Sequence, residues 1–192
     1  FNKYFNLKYK KNKQNIGISK NFINVTKMAE GEYIWLIGDD DLLLPNSLKK
    51  CIDLLETNNK VDFFYVNAFH LDINYVKRFK KPFDTKYLPK NMLKFSNYNF
   101  SGTLPFFDLI SPNISFDFLG GMFLSVFRKS KWEENVNTLD LAAINDKNIF
   151  AHFDNTFPHV KIFSKAFCNS VAYFNPKPLV VCLSGVREWT SK

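Results

Sequence analysis

Tyr33-Ile34-Trp35-Leu36-Ile37-Gly38-Asp39-Asp40-Asp41-Leu42-Leu43-Leu44-Pro45 is the stretch that decides how the rest of the chain is read. Its apolar run reads as a strand buried on both faces, and such strands belong mostly to parallel sheets covered by helices. Three consecutive carboxylates interrupt it. One Asp at a strand-to-helix turn is ordinary, because it caps the coming helix. Three adjacent ones repel, and a bound cation or a set of fixed donors holds them ionised. On an extended backbone alternate side chains share a face, so Asp39 and Asp41 point one way and Asp40 the other. An Asp-x-Asp pair suits Mg²⁺ or Mn²⁺, hard cations that take one or two carboxylates and complete their shell with water and substrate phosphates. A solvated acidic turn is the plain alternative.

Upstream, residues 7–9 read as a short strand, and Ser19 as the N-cap of a helix whose Phe22, Val25, Met28 and Ala29 recur at helical spacing until Gly31. Downstream, Pro45 opens a second helix with Leu48, Cys51, Ile52 and Leu55 on one face. Residues 61–66 form the next strand. Residues 33–66 are then a β-α-β unit with a right-handed crossover, and ligands of such sheets bind beyond the carboxyl ends of the strands, where the aspartates lie. Four prolines break residues 67–120. A strand over 118–128 is entered through Gly120 and Gly121. Helices over 138–150 and 160–167 follow, then short strands at 171–174 and 179–183.

At 192 residues the chain is read as one domain. Its net charge of +8 invites a polyanionic partner. The basic residues are scattered except at 8–13 and 77–81, and neither cluster is interleaved with the aromatics of a nucleic-acid module, so nucleic acid is not an expected partner. The 77–81 cluster reads as a solvated basic turn, with a membrane-facing or phosphate-facing patch as the alternative. Cys51, Cys168 and Cys182 lack metal-ligand spacing and read as buried free thiols in a reducing compartment. No apolar run spans a bilayer and no signal pattern opens the chain, so the expected location is cytoplasmic, with peripheral contact at the inner membrane. The chain starts in mid-pattern at Phe1, as a fragment would.

Asn15-x-Gly17-x-Ser19 followed by Asn24, with Asn21 as an alternative, then Ala29-x-Gly31-Glu32-Tyr33-Ile34 and the Asp cluster before Leu42-Leu43-Leu44-Pro45, resembles the family-2 inverting glycosyltransferases of the GT-A fold. The bacterial lipopolysaccharide O-antigen and abequosyltransferase-like members are the most similar. The match is specific over residues 15–56 and fades afterwards. It implies an α/β fold, a GT-A-like, Rossmann-related, mixed and mostly parallel central sheet flanked by helices, incomplete at its N-terminus. Residues 1–66 would be the remainder of the nucleotide-sugar-binding half and 67–192 the acceptor half. The resemblance also implies a nucleotide-sugar donor, a cell-envelope glycan or lipid-linked acceptor, and Mn²⁺ or Mg²⁺. Donor binding would fall to Asn15, Gly17, Asn21, Asp39, Asp40 and Asp41. Asp40 would bind the metal, Asp39 would face the ribose, and Asp41 would support the site as a second metal carboxylate. Gly38 stands where many members carry the first Asp of the motif, which leaves open which two carboxylates act together.

The family's reaction is a single displacement at the anomeric carbon, with a carboxylate removing the acceptor proton. The resemblance places that base in the C-terminal half, where the family's usual Glu-Asp pair is not evident. Asp154 is the first candidate, in an irregular segment near His152 and His159, with Asp146 and Glu134 as alternatives. His159 is a candidate further metal ligand or, as a default, a hydrogen-bonded structural histidine. Trp132 and Trp189 are either sugar-stacking or core residues. Two other functions are open. One is a non-catalytic domain of the same fold that binds glycan or anionic lipid. The other is a Mg²⁺-dependent phosphoryl-transfer enzyme, against which stands the lack of a glycine-rich loop with Lys.

Overall fold

The computed structural model describes residues 7–115, 117–146, 148 and 150–185. In chain order they form α1 (Ile18–Met28), β1 (Tyr33–Trp35), β2 (Leu42–Leu43), α2 (Ser47–Thr57), β3 (Phe63–Asp72), α3 (Ile73–Val76), β4 (Leu93–Lys94) and β5 (Gly102–Pro105). Then follow β6 (Ser125–Arg128), α4 (Lys129–Asn135), α5 (Leu141–Asn145), α6 (Phe153–Thr156), α7 (Pro158–Ala166) and β7 (Val171–Ser184). The chain clusters into two compact units, Phe1–Ile34 with Lys129–Ala166 and Trp35–Arg128 with Phe167–Lys192. Each is built from two separated stretches of the chain.

The second unit is a sheet unit. Its centre is β3, whose first six residues, Phe63-Phe64-Tyr65-Val66-Asn67-Ala68, are all buried. β3 runs parallel to β7, from Phe63 opposite Ala172 to Asp72 opposite Ser184. The remaining pairings within the unit are antiparallel: β6 and β4 along the other edge of β3, β5 and β2 along the other edge of β7. The α/β class and the mixed sheet therefore stand, but most of the pairings are antiparallel where a mostly parallel sheet was expected. Only its central pair follows the rule that strands buried on both faces pair in parallel. Short antiparallel pieces need no helical crossover, and they cover both edges.

The expected pair of C-terminal strands is one strand of 14 residues, β7, which continues through Pro176 and Pro178. A register shift between Val66 and Ala68 makes this possible, because proline's missing N–H is tolerated where the ladder is broken. Buried Asn67 fills the break. Its Nδ2 donates to Ser96 O (2.8 Å) and Pro176 O (3.0 Å), and its Oδ1 accepts from Ser96 N (3.1 Å) and Ala68 N (2.9 Å). Below this break the core is aromatic. Phe63 meets Phe106, Phe118 and Phe167 edge-on with ring centroids 5.0–5.7 Å apart, and Tyr65 stacks on Phe174 at 4.6 Å.

The first unit is helical. Its α4 packs on α7 through Trp132 and Phe163, and Trp132 is a core residue, 1% exposed. Several expectations fail in these helices for local reasons. Gly17, not Ser19, is the N-cap of α1, and Ser19 lies inside the first turn, buried, with Oγ donating to Asp154 O at 2.9 Å. The helix expected over 138–150 is only α5, because Asp140 caps it at Ala142 N and the Asp146 carboxylate turns back to Asn148 N. Such local side-chain bonds compete with helix. Residues 7–9 form no strand, and the 118–128 strand is confined to β6 after a 3-10 turn at Met122–Leu124. Cys51 and Cys182 are buried, whereas Cys168 is exposed. Trp189 lies outside the described residues. Among the described residues no helix is long and apolar enough to cross a membrane.

Candidate functional site

The opening stretch folds differently from a continuous buried strand. β1 stops after three residues, of which only Ile34 is buried, and the chain then turns. Asp41 N–H donates to Gly38 O (3.3 Å) across Asp39 and Asp40, closing a tight turn, and Gly38 N–H donates back to Asp41 Oδ2 (3.0 Å). The backbone is thus not extended at the aspartates, which corrects the expectation that Asp39 and Asp41 share a face. Asp39 stands exposed at the tip, while Asp40 and Asp41 are half-buried. A Cβ at position 38 would lie 2.5 Å from Asp40 Oδ1 and 3.1 Å from Asp41 Oδ2. The carboxylates of Asp40 and Asp41 therefore converge over the space left by a missing side chain. Glycine at 38 is what lets that pair form.

The turn is anchored on its far side. Leu42 and Leu43 pair with Val181 and Val180, and Leu179 O accepts both Leu44 N–H (3.1 Å) and Ser47 Oγ (2.6 Å). These bonds fix the start of α2, in which Cys51 is buried while Leu48 and Ile52, expected on its apolar face, are exposed. Two convergent carboxylates fit one hard divalent cation with water and phosphate completing its shell. Among the described residues no group of three His, Cys, Asp or Glu side chains is placed to hold a metal.

The helical unit holds the other sequence candidates. Gly17 takes φ 81°, a backbone state that favours glycine, and hands the chain into α1 without a side-chain cap. Asn15 Oδ1 accepts from Gly17 N (2.9 Å), and Gly17 O accepts from Asn21 N (3.1 Å). The Asn21 side chain is engaged by Asn12 (3.2 Å). Asn15, Gly17 and Ser19 line one cavity of about 380 Å³ together with Asn145, Asp146 and Asn155. Residues about 130 positions apart in sequence thus share one polar cavity.

Asp146 and Asp154 behave differently. Asp154 is 5% exposed and its Oδ2 accepts from Asp140 N (2.6 Å) and Lys161 Nζ (2.6 Å). Asp146 borders the cavity, with Oδ2 3.0 Å from His152 Nε2. The Asn148 amide and the His152 ring hold its carboxyl below the usual aspartate range, against some desolvation. Glu134 is exposed on α4. His159, 4% exposed on α7, lies edge-on among the rings of Phe22, Phe157 and Phe163. Asn145, Asn155 and His152 went unassigned in the sequence. No spacing in the sequence signalled that Asp146 and His152 would pair.

A search of curated proteins finds similarity to abequosyltransferase RfbV of Salmonella typhimurium, 23% identical over 182 residues. That alignment covers 93% of this chain and 49% of the relative, so the chain spans about half the length of the curated relative it matches. Residues 1–119 match the family model described as glycosyl transferase family 2, well beyond the 15–56 stretch that carried the resemblance. With more than half of its length inside that match, including the Asn15–Gly17 segment and all three aspartates, the chain belongs to glycosyl transferase family 2.

Proposed function

We propose that the protein moves a sugar from a nucleotide-sugar donor to a glycan or lipid-linked acceptor of the bacterial envelope, by an inverting single displacement. The observation that carries this reading is the convergence of Asp40 and Asp41 over Gly38, inside the part of the chain that matches the family. Asp40 and Asp41 would hold Mn²⁺ or Mg²⁺, which when bound offsets the charge of the departing diphosphate. Asp39, at the tip of the same turn, is assigned to the donor's ribose. Asn15 and Gly17 contribute the wall of a polar cavity, and the uncapped first turn of α1 offers amide donors to an anionic group there.

Asp146 is the base of choice among the three candidates. Its carboxylate borders the cavity and stays ionised, whereas Asp154 Oδ2 is committed to Lys161 and the Asp140 amide. In the reaction the acceptor oxygen bonds to the anomeric carbon as the bond from that carbon to the diphosphate breaks, and the acceptor proton passes to Asp146. The relative's name assigns it abequosyl transfer, and the same reaction class is proposed here without its particular sugar.

Nucleotide-sugar binding with and without Mn²⁺, measured by calorimetry across a donor panel, tests the assignment. One donor should bind in a Mn²⁺-dependent way, and Asp40→Asn should remove the metal dependence. Metal-independent binding that survives the substitution would overturn the role of the turn.

A further inference from the structure

The segment between β3 and β4 is not accounted for by donor binding or by the proton transfer. Its base is apolar: Ile73, Val76, Leu88 and Met92 pack on Leu71, Val181 and Leu183 at the end of the sheet. Leu42 and Leu44, which flank the aspartate turn, pack on the same cluster. The arm beyond that base is strongly cationic. Lys77, Arg78, Lys80, Lys81, Lys86 and Lys90 are all exposed, against one carboxylate, Asp84, which pairs with Lys86 at 2.8 Å. In a chain of net charge +8, more than half of the excess therefore sits in one short arm.

The arm also has an aromatic cluster of its own. Phe79 is its centre, with its ring centroid 5.3 Å from those of Tyr75, Phe83 and Tyr87. Arg78 lies 4.4 Å over the Tyr75 ring, and Lys86 lies 4.9 Å over Tyr87. The rings thus pack on one another and hold the cations at the surface. Residues 78–82, Asp84, Lys86 and Tyr87 surround an open cavity of about 530 Å³. Tyr87 is 49% exposed and, farther along, Leu93 is 77% exposed.

From these features we infer that the 77–90 arm docks on an anionic phospholipid surface, its cations meeting lipid phosphates and Tyr87 entering the headgroup layer. Charge complementarity selects this occupant, since six exposed cations stand against one carboxylate on a folded arm, and four of them, Arg78, Lys80, Lys81 and Lys86, border one cavity. Aromatics beside lysines at an interface keep their bodies in the apolar boundary and their polar tips wet. The rings here are spent on packing with each other, which disfavours the free stacking platforms that single-stranded nucleic acid requires. Each Lys or Arg held near an anionic surface contributes about fivefold in affinity. The arm shares its apolar base with the segment that carries Asp40 and Asp41, so docking here tethers that turn to a membrane surface. This inference stands independently of the reaction proposed for the turn.

The test is co-sedimentation of the polypeptide with vesicles of phosphatidylcholine alone and of phosphatidylcholine doped with phosphatidylglycerol, at low and high salt. The protein should bind only the doped vesicles and release in high salt. Lys80→Glu with Lys81→Glu should lower that affinity by at least about tenfold. The same charge change at Lys10 and Lys11, exposed in the helical unit, should cost less than a third of that loss. Equal losses in the two double variants would reduce the effect to bulk charge and overturn the inference, as would absence of any preference for phosphatidylglycerol. A parallel titration with inorganic phosphate covers the remaining source. Saturable phosphate binding lost in Lys80→Glu with Lys81→Glu, without vesicle binding, would make the cavity a soluble-phosphate site and also overturn it.

Discussion

Phe63, at the centre of the sheet unit, has no exposed surface and meets three other phenylalanine rings. In the helical unit the comparable position is held by Asp154, also buried, receiving Lys161 and the Asp140 amide on one oxygen while its carbonyl receives Ser19. The first centre is non-directional and tolerates small shifts, because apolar burial depends on area and not on angle. The second depends on donors arriving at set distances. Polar centres of that kind fix how particular helices meet, and they do so at the desolvation cost of every buried group. The sheet unit supplies stability, and the helical unit supplies a set arrangement of polar side chains around a cavity.

The contrast is sharpest where function and stability should separate. Asp146→Asn removes the proposed base while leaving the Asp154 tie untouched. Turnover of the active enzyme should fall about 10²–10⁴-fold, with little change in stability for a carboxylate whose partner, His152, is about half exposed and whose pairing is screened by solvent. Rate and thermal melting measured together check this, and a large drop in melting temperature would move Asp146 into the structural class. Its acid limb carries a second check. Because the folded carboxyl titrates below the ordinary 3.8, any stability it adds is present above that value and lost as pH falls through the lower folded one. Base function should persist into the acid range in which an ordinary aspartate is already becoming protonated, and fall only below it.

Phe63→Ala should be the most destabilising single change in the sheet unit, about 3–5 kcal/mol by denaturant unfolding, from lost burial plus the cavity left among the rings. Asp154→Asn should cost less, about 1–3 kcal/mol, since Lys161 is 40% exposed and recovers water when its partner is neutralised. Should the two costs invert, the helical unit's polar tie would be the stronger centre. The smallest effect is chemical. Cys168 should react with a thiol reagent in the folded protein, while buried Cys182 and Cys51, whose thiol burial pushes up to about 11, react only on opening. Phe63→Ala should speed the slow pair and leave Cys168 unchanged.

The legible parts of the sequence were those set by near neighbours. The periodicity behind α1, α2 and α7, and the Pro and Gly residues near their ends, made those helices readable, and the family was readable from Asn15 through Pro45 because its residues are contiguous. What stayed hidden was set by distant partners. Leu42 and Leu43 read only as a short apolar run between the aspartates and the second helix, yet they pair with residues almost 140 positions later. The two aspartates that act together could not be chosen without knowing that the backbone turns at Gly38. Asp154 looked free in its irregular segment, and only the fold brings Lys161 and Asp140 onto it. Lys129–Asn135 carries Trp132 as its one large apolar residue, so no stripe announced α4.

The parallel pairing of β3 with β7 also shapes how the chain is made. Phe63 meets its partner Ala172 more than a hundred residues later. At translation speeds of about 5–20 residues per second, the Phe63-Phe64-Tyr65-Val66 run leaves the ribosome roughly 5–20 seconds before its neighbour exists. Through that interval a strand apolar on both faces has no parallel partner, and it is the natural place for a chaperone to bind the nascent chain.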